Sequence, residues 1–171
     1  MERKRKLWDM EKKFETLKEL IKDLKTAMLT TFNEEGEMHS RPMVTTDMSD
    51  NGVLWFFTAQ SSAKAQEIKD HANVNIAYMN TSKNEYVSVS GHATVITDKY
   101  KIDELWYDEL NDYFQDGKAN PDIALIRVEP LKAEYWKSPY GIKKALEFTK
   151  AFVNNDVYDE IENTENKKID F

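Results

Sequence analysis

The sequence predicts a mainly β domain, a small antiparallel barrel of six strands with flanking helices. Three observations carry that reading. Six stretches of β-forming residues follow one another, separated by short turn signals rather than by long helical crossovers. An amphipathic helix leads the chain, and a short helical stretch follows the third strand. The length, 171 residues, fits a single domain with short appendages and suffices to bury a core without covalent staples.

The elements follow in order. Met10, Phe14, Leu17, Ile21 and Leu24 recur at spacings of four and three, which predicts one apolar helix face over about residues 7–25. TAMLTTF (26–32) is a β-prone run, NEEGE is a turn, and MHSRPMVTT (38–46) is the second strand. The pair Arg41-Pro42 interrupts that strand. Proline cannot donate to a ladder, so Pro42 places the strand at an edge, or marks a strand start or bulge. Asn51-Gly52 is a strong hairpin signal before VLWFFTA (53–59), whose nearly continuous apolar character predicts a buried strand. Ser61 or Ser62 can cap the short helix that follows. NVNIAYMN (73–80) is the fourth strand. EYVSVSGHATVIT (85–97) is the fifth, and its interior Gly91 predicts a bend or bulge. Asp98 can cap a helix through about Tyr113, which the loop QDGKANPD ends. IALIRVEPLKAEYW (123–136) is the sixth strand. The domain therefore covers residues 1–137, and 138–171 form a C-terminal helix (GIKKALEFTKAFV) followed by an acidic, flexible tail.

Composition excludes several classes. With no cysteine there are no disulfides, no thiolate catalysis and no cysteine-ligated metal, which fits a reducing, cytoplasmic setting. No apolar run approaches the roughly 20 residues that span a bilayer, and the basic start lacks the apolar core of a secretory signal. A net charge of −7 argues against nucleic acid, whose binding rests on neutralising phosphates. Eight Phe, eight Tyr and four Trp suggest a generous core, a subunit interface or a site for a flat ligand.

Among possible chemistries, the three histidines, His39, His71 and His92, form no close metal-binding pair. No G-x-S-x-G elbow is present, and neither phosphate-binding glycine motif occurs. The carboxylates fall mostly on helices and in the tail, where solvated charge is the ordinary reading. One constellation stands out. Arg41 lies on the second strand, Thr58 ends the third, Ser61 and Ser62 follow it, and Lys64 lies in the first turn of the next helix. If the second and third strands are neighbours, these groups converge on a helix N-terminus that favours an anion. Arginine offers a planar fork and lysine a point charge, so the set reads as a phosphate cradle, with solvated surface cations as the alternative.

GEMHSRPMV, LWFFTAQSSAKAQEIKDHANVNIAYMN, EYVSVSGHATVITD and PDIALIRVEPLKAEYWKSP stand in an order and spacing that resemble the general stress protein branch of the pyridoxamine 5′-phosphate oxidase-like, FMN-binding split barrels. The resemblance covers about residues 10–137. It implies a six-stranded split β-barrel and a homodimer with two FMN sites at its interface. By the same resemblance Arg41 holds the phosphate and Pro42 and Met43 lie against the flavin. Thr58, Ser62 and Lys64 form the phosphate loop, Phe57 lies alongside the ring, and Trp136 reaches the site from near the interface. The loop YFQDGKANPD departs from the family pattern at Tyr113 and Gln115, and no residues that would hold a substrate phosphate stand near the C-terminus. The expected activity is therefore a flavin-dependent oxidoreductase with a reduced nicotinamide donor, not pyridoxamine phosphate oxidation. The alternatives are a flavin-binding stress protein without turnover, a cofactor-free interaction module, and a deazaflavin or haem binder in place of FMN.

Overall fold

The computed structural model describes residues 2–137 and 165–171. The expected helix over 141–153 lies outside them. Helix α1 (Glu2–Ile21) leads into strands β1 (Thr26–Phe32), β2 (Met38–Val44), β3 (Asp47–Met48) and β4 (Leu54–Ala59). Helix α2 (Ala63–Asp70) precedes β5 (Asn73–Asn80) and β6 (Glu85–Ile96). Helix α3 (Lys99–Leu105) and two short 3-10 turns lead into β7 (Ile123–Lys137), and β8 (Glu165–Asp170) closes the chain. All six expected strands form. Two more join them: β3, a short piece at the end of the second, and β8, in a segment expected to be a flexible tail.

The sheet is antiparallel and runs β2-β1-β5-β6-β7-β4-β3, with β8 added beside β7. Its two ends are consecutive in the chain. Thr45 donates its N–H to the Lys25 carbonyl at 2.7 Å, while Thr46 donates to the Trp55 carbonyl at 2.8 Å. One residue still continues the ladder toward β1 and the next has changed partner to β4. This switch closes the sheet into a split barrel without a ladder between β2 and β4.

Local chemistry explains the joints. Gly52 sits at φ +84° in the β3–β4 turn, and a Cβ there would lie 2.2 Å from the Phe14 ring, so the Asn-Gly signal also serves packing of α1. The β6–β7 register shifts between Ser90 and Gly91, the expected bulge, where a Cβ would meet the Glu129 carbonyl at 2.5 Å. Asp98 caps α3 by accepting from the N–H groups of Tyr100 and Lys101. That helix stops at Leu105, before the expected Tyr113, and residues 108–112 continue as a 3-10 turn.

Two apolar clusters hold the barrel. Leu29, Leu54, Phe56, Ile76, Val89 and Ile126 fill its interior and are fully buried, with Leu17 and Ile21 of α1 packed against them. Each such side chain contributes about 1.5–3 kcal/mol on leaving water. Val53, Trp55, Phe57, Ile123 and Leu125 form a second cluster with Ile102 of α3 and Leu110. Strand β4 thus buries both faces, which is why its sequence does not alternate. At the C-terminus, Ile169 enters the first cluster and Phe171 stacks on Phe14 with ring centroids 5.0 Å apart. Among the described residues, no helix is long and apolar enough to cross a membrane.

Candidate functional site

Strand β2 is the edge of the sheet, hydrogen-bonded to β1 alone, and Pro42 stands on it opposite Met28. A missing donor is tolerated at such an edge. Side chains alternate along the strand. Met38, Ser40, Pro42 and Val44 are exposed on the outward face, whereas Arg41 is half-buried and Met43 belongs to the barrel core on the other.

Helix α2 brings Glu67 to the inward face of β2 at His39 and Arg41. The Arg41 guanidinium donates to the Glu67 carboxylate at 2.8 Å and to the Thr31 hydroxyl. Thr31 in turn donates to the same carboxylate at 2.5 Å. The His39 imidazole lies 3.0 Å from the other Glu67 oxygen. Glu67 is only 9% exposed, so it is a charge taken out of water and matched by three partners from β1 and β2. Burial pushes its pKa up. The hydrogen bonds from Thr31 and His39 and the charge and N–H of Arg41 outweigh that, and the carboxyl is held below its ordinary value.

Lys64 stands three residues before Glu67, on the same side of α2. Its pKa is lowered, first by desolvation and then by the positive charge of Arg41, with Glu67 opposing. Lys64 thus lies within electrostatic range of both Arg41 and Glu67. At the start of α2, Thr58 and Ser62 place their hydroxyl oxygens 3.0 Å apart. Ser62 holds the N-cap position but does not cap with its side chain; its hydroxyl donates to the Ala59 carbonyl at 2.7 Å. Ser61 instead binds Asp122, through its N–H at 2.8 Å and its hydroxyl at 2.6 Å.

The structure thus sets Lys64 within electrostatic range of Arg41, but not by way of adjacent strands. Strands β2 and β4 lie at opposite ends of the sheet order, and α2 carries the cation across to Arg41. Thr58 is buried at 3% exposure at the end of β4. The Phe57 ring is buried in the second apolar cluster, edge-on to Trp106 at 5.6 Å. Trp136 pairs with Tyr86 and with Asn166 on β7, four strands from β2 within the same chain. Beyond the other end of β2, a cavity of about 510 Å³ is lined by Lys25, Val44, Thr45, Thr46 and Tyr107, among others.

Glu67 is the member of this cluster that the sequence reading missed, because helix carboxylates are ordinarily solvated. The available signal was the i, i+3 pairing of Lys64 with Glu67 behind a strand end rich in hydroxyls.

The family profile described as "Pyridoxamine 5′-phosphate oxidase like" matches residues 12–159. The Neurospora crassa protein bli-3 is 28% identical over 136 residues, which cover 74% of this chain and 65% of bli-3, so the match spans less than two thirds of that relative. The structure of the general stress FMN/FAD binding protein from Xanthomonas citri is 27% identical, with a TM-score of 0.62 over 78% of this chain and 91% of that one. General stress protein 26 from Bacillus anthracis shares the fold at a TM-score of 0.62 and 24% identity, over 73% and 92% of the two chains.

Proposed function

This chain belongs to the pyridoxamine 5′-phosphate oxidase-like family, and on that premise we propose that it is an FMN-binding flavoprotein that works as an oxidoreductase with a reduced nicotinamide donor. The observation that carries this reading is the Arg41–Thr31–Glu67 cluster, with Lys64 in electrostatic range, midway along an exposed edge strand whose last residue, Val44, lines a cavity. From Arg41 to Val44 the strand advances about 10 Å, the scale of the five-carbon chain that separates a flavin's phosphate from its ring. Arg41 and Lys64 would hold the phosphate, with the hydroxyls of Thr58 and Ser62 beside them. The ring would lie along the β2 edge near Pro42 and Val44. The Met43 side chain is committed to the core, so only its backbone would face the ligand. Phe57 would support the site from within the second cluster. The cofactor supplies hydride transfer when bound, and the protein supplies position and charge. The Xanthomonas citri relative, named as an FMN/FAD binding protein, supports the assignment.

A homodimer is part of this reading. Met28, Val44, Met79 and Tyr86 are exposed on the outward face of β1, β2, β5 and β6, at 37–58%. Single exposed apolar residues need no explanation, but a group on one sheet face marks a covered surface. A second copy would cover it and would bring its own Trp136 toward the β2 edge, from which the first copy's Trp136 is four strands removed.

One observation favours a second reading, flavin binding without turnover. The buried carboxylate of the cluster is fully engaged with Thr31, His39 and Arg41 and offers no free general acid or base. Anaerobic mixing of the FMN-loaded protein with NADH or NADPH separates the two. Rapid bleaching of the flavin band supports an oxidoreductase, and a stable yellow solution supports the binder.

A further inference from the structure

We propose that Glu67 is the positioning residue of the phosphate cradle, holding the Arg41 guanidinium so that its remaining N–H groups face the anion. The inference rests on the FMN reading and assigns a role within the same site. An arginine side chain carries five N–H donors in a rigid planar fork. In this structure Glu67 takes one of them at 2.8 Å and Thr31 takes another. Three donors remain, and the plane in which they lie is fixed at two points. Free arginine explores many rotamers, and ordering it on binding costs affinity. An arginine already clamped meets a phosphate without that cost.

The clamp itself is anchored. Thr31 bridges Arg41 and Glu67 from β1, His39 holds the second carboxylate oxygen from β2, and the backbone of Glu67 belongs to a regular helical turn of α2. Glu67 and Thr31 are both buried, at 9% and 0% exposure, while Arg41 keeps 22% of its side chain open. The buried partners thus stand behind the guanidinium and leave its open side to a ligand. The charges fit as well. Arg41 and Lys64 bring two positive charges and Glu67 brings one negative, so the cluster retains an unmatched cation for an anion to complete.

A role confined to the phosphate end makes a selective prediction. Riboflavin carries the same ring and chain as FMN without the phosphate. Both flavins are titrated against the wild type, Glu67→Ala and Glu67→Gln, with ring fluorescence as the readout. Glu67→Ala is expected to weaken FMN binding by about tenfold, the factor set by one charge-assisted hydrogen bond, and to leave riboflavin affinity where it was. Glu67→Gln, whose amide oxygen still accepts from Arg41, is expected to lose about a third as much in fold terms, and it carries the test should the alanine variant not fold. Unchanged FMN affinity in the variants, or a parallel loss of FMN and riboflavin, overturns the proposal. If the wild type binds neither flavin, the FMN reading fails. The positioning role is then read with inorganic phosphate and the Arg41 Nε–Hε NMR resonance. A phosphate-induced shift that shrinks in Glu67→Gln supports the role, and no shift, or an equal one in both proteins, overturns it.

Discussion

Strand β2 has two faces that solve opposite problems. On the inward face, His39, Arg41 and Met43 meet α2 and the barrel core, and every polar group named there has a partner within the chain. On the outward face, Met38, Pro42 and Val44 are exposed, and the described residues of the same chain do not cover them. The first face is pinned within the chain but leaves three Arg41 donors open. The second invites a ligand or a second subunit. An edge strand is where both can be reached from one side, since no further strand blocks it. The contrast places the proposed site on the border of the sheet rather than in a pit within it.

The comparison breaks most visibly at Met43, whose side chain supports the core while its neighbour Pro42 faces outward. Met43→Ala is expected to lower unfolding stability by about 2–5 kcal/mol through the cavity it leaves, measured by urea denaturation. Little or no loss would mean that the two faces are not distinct. A smaller effect is expected at Glu67. Its folded-state pKa lies below the ordinary carboxyl value of 4.5, so the stabilisation it brings is present above that value and disappears as pH falls through the folded pKa. Glu67→Gln should therefore cost about 1.5–3 kcal/mol at neutral pH and flatten the acid limb of the stability profile. An acid limb identical to that of the wild type would remove Glu67 from the account. The smallest effect on the fold is expected on the outward face. Val44→Lys should leave unfolding within about 0.5 kcal/mol yet shift the sedimentation of the protein from dimer to monomer. A variant that remains dimeric would move the interface elsewhere.

Much of this architecture was legible in the sequence. Alternation and turn residues gave six strands because each signal is local. Asn51-Gly52 and Gly91 marked a turn and a bulge for the same reason, since positive φ and close backbone approach both demand glycine. The strand order was not local. Nothing in HSRPM or LWFFT says that β2 and β4 meet the sheet at opposite ends, and the expectation that they are neighbours failed there. β8 was hidden because ENKKID is nearly all polar. It forms by backbone pairing with β7 and by the burial of Ile169, a tertiary effect that overrides its composition. Glu67 was hidden because its partners Thr31, His39 and Arg41 lie 26–36 residues away in the chain. Arg41 and Lys64 were singled out because arginine on a strand and lysine in the first turn of a helix were read with the hydroxyls between them, and the structure sets Lys64 within electrostatic range of Arg41.

In the proposed site Arg41, set in the β2 edge, holds the phosphate end of a flavin. Equilibrium titration of FMN against the purified wild type and Arg41→Ala, followed by the flavin absorption band and fluorescence, tests it most directly. One FMN per chain is expected for the wild type, and an affinity lower by about 1–3 kcal/mol in the variant, the range for losing a partner of a charged hydrogen bond. Equal affinity in the two proteins, or a wild type that takes up no FMN, would contradict it.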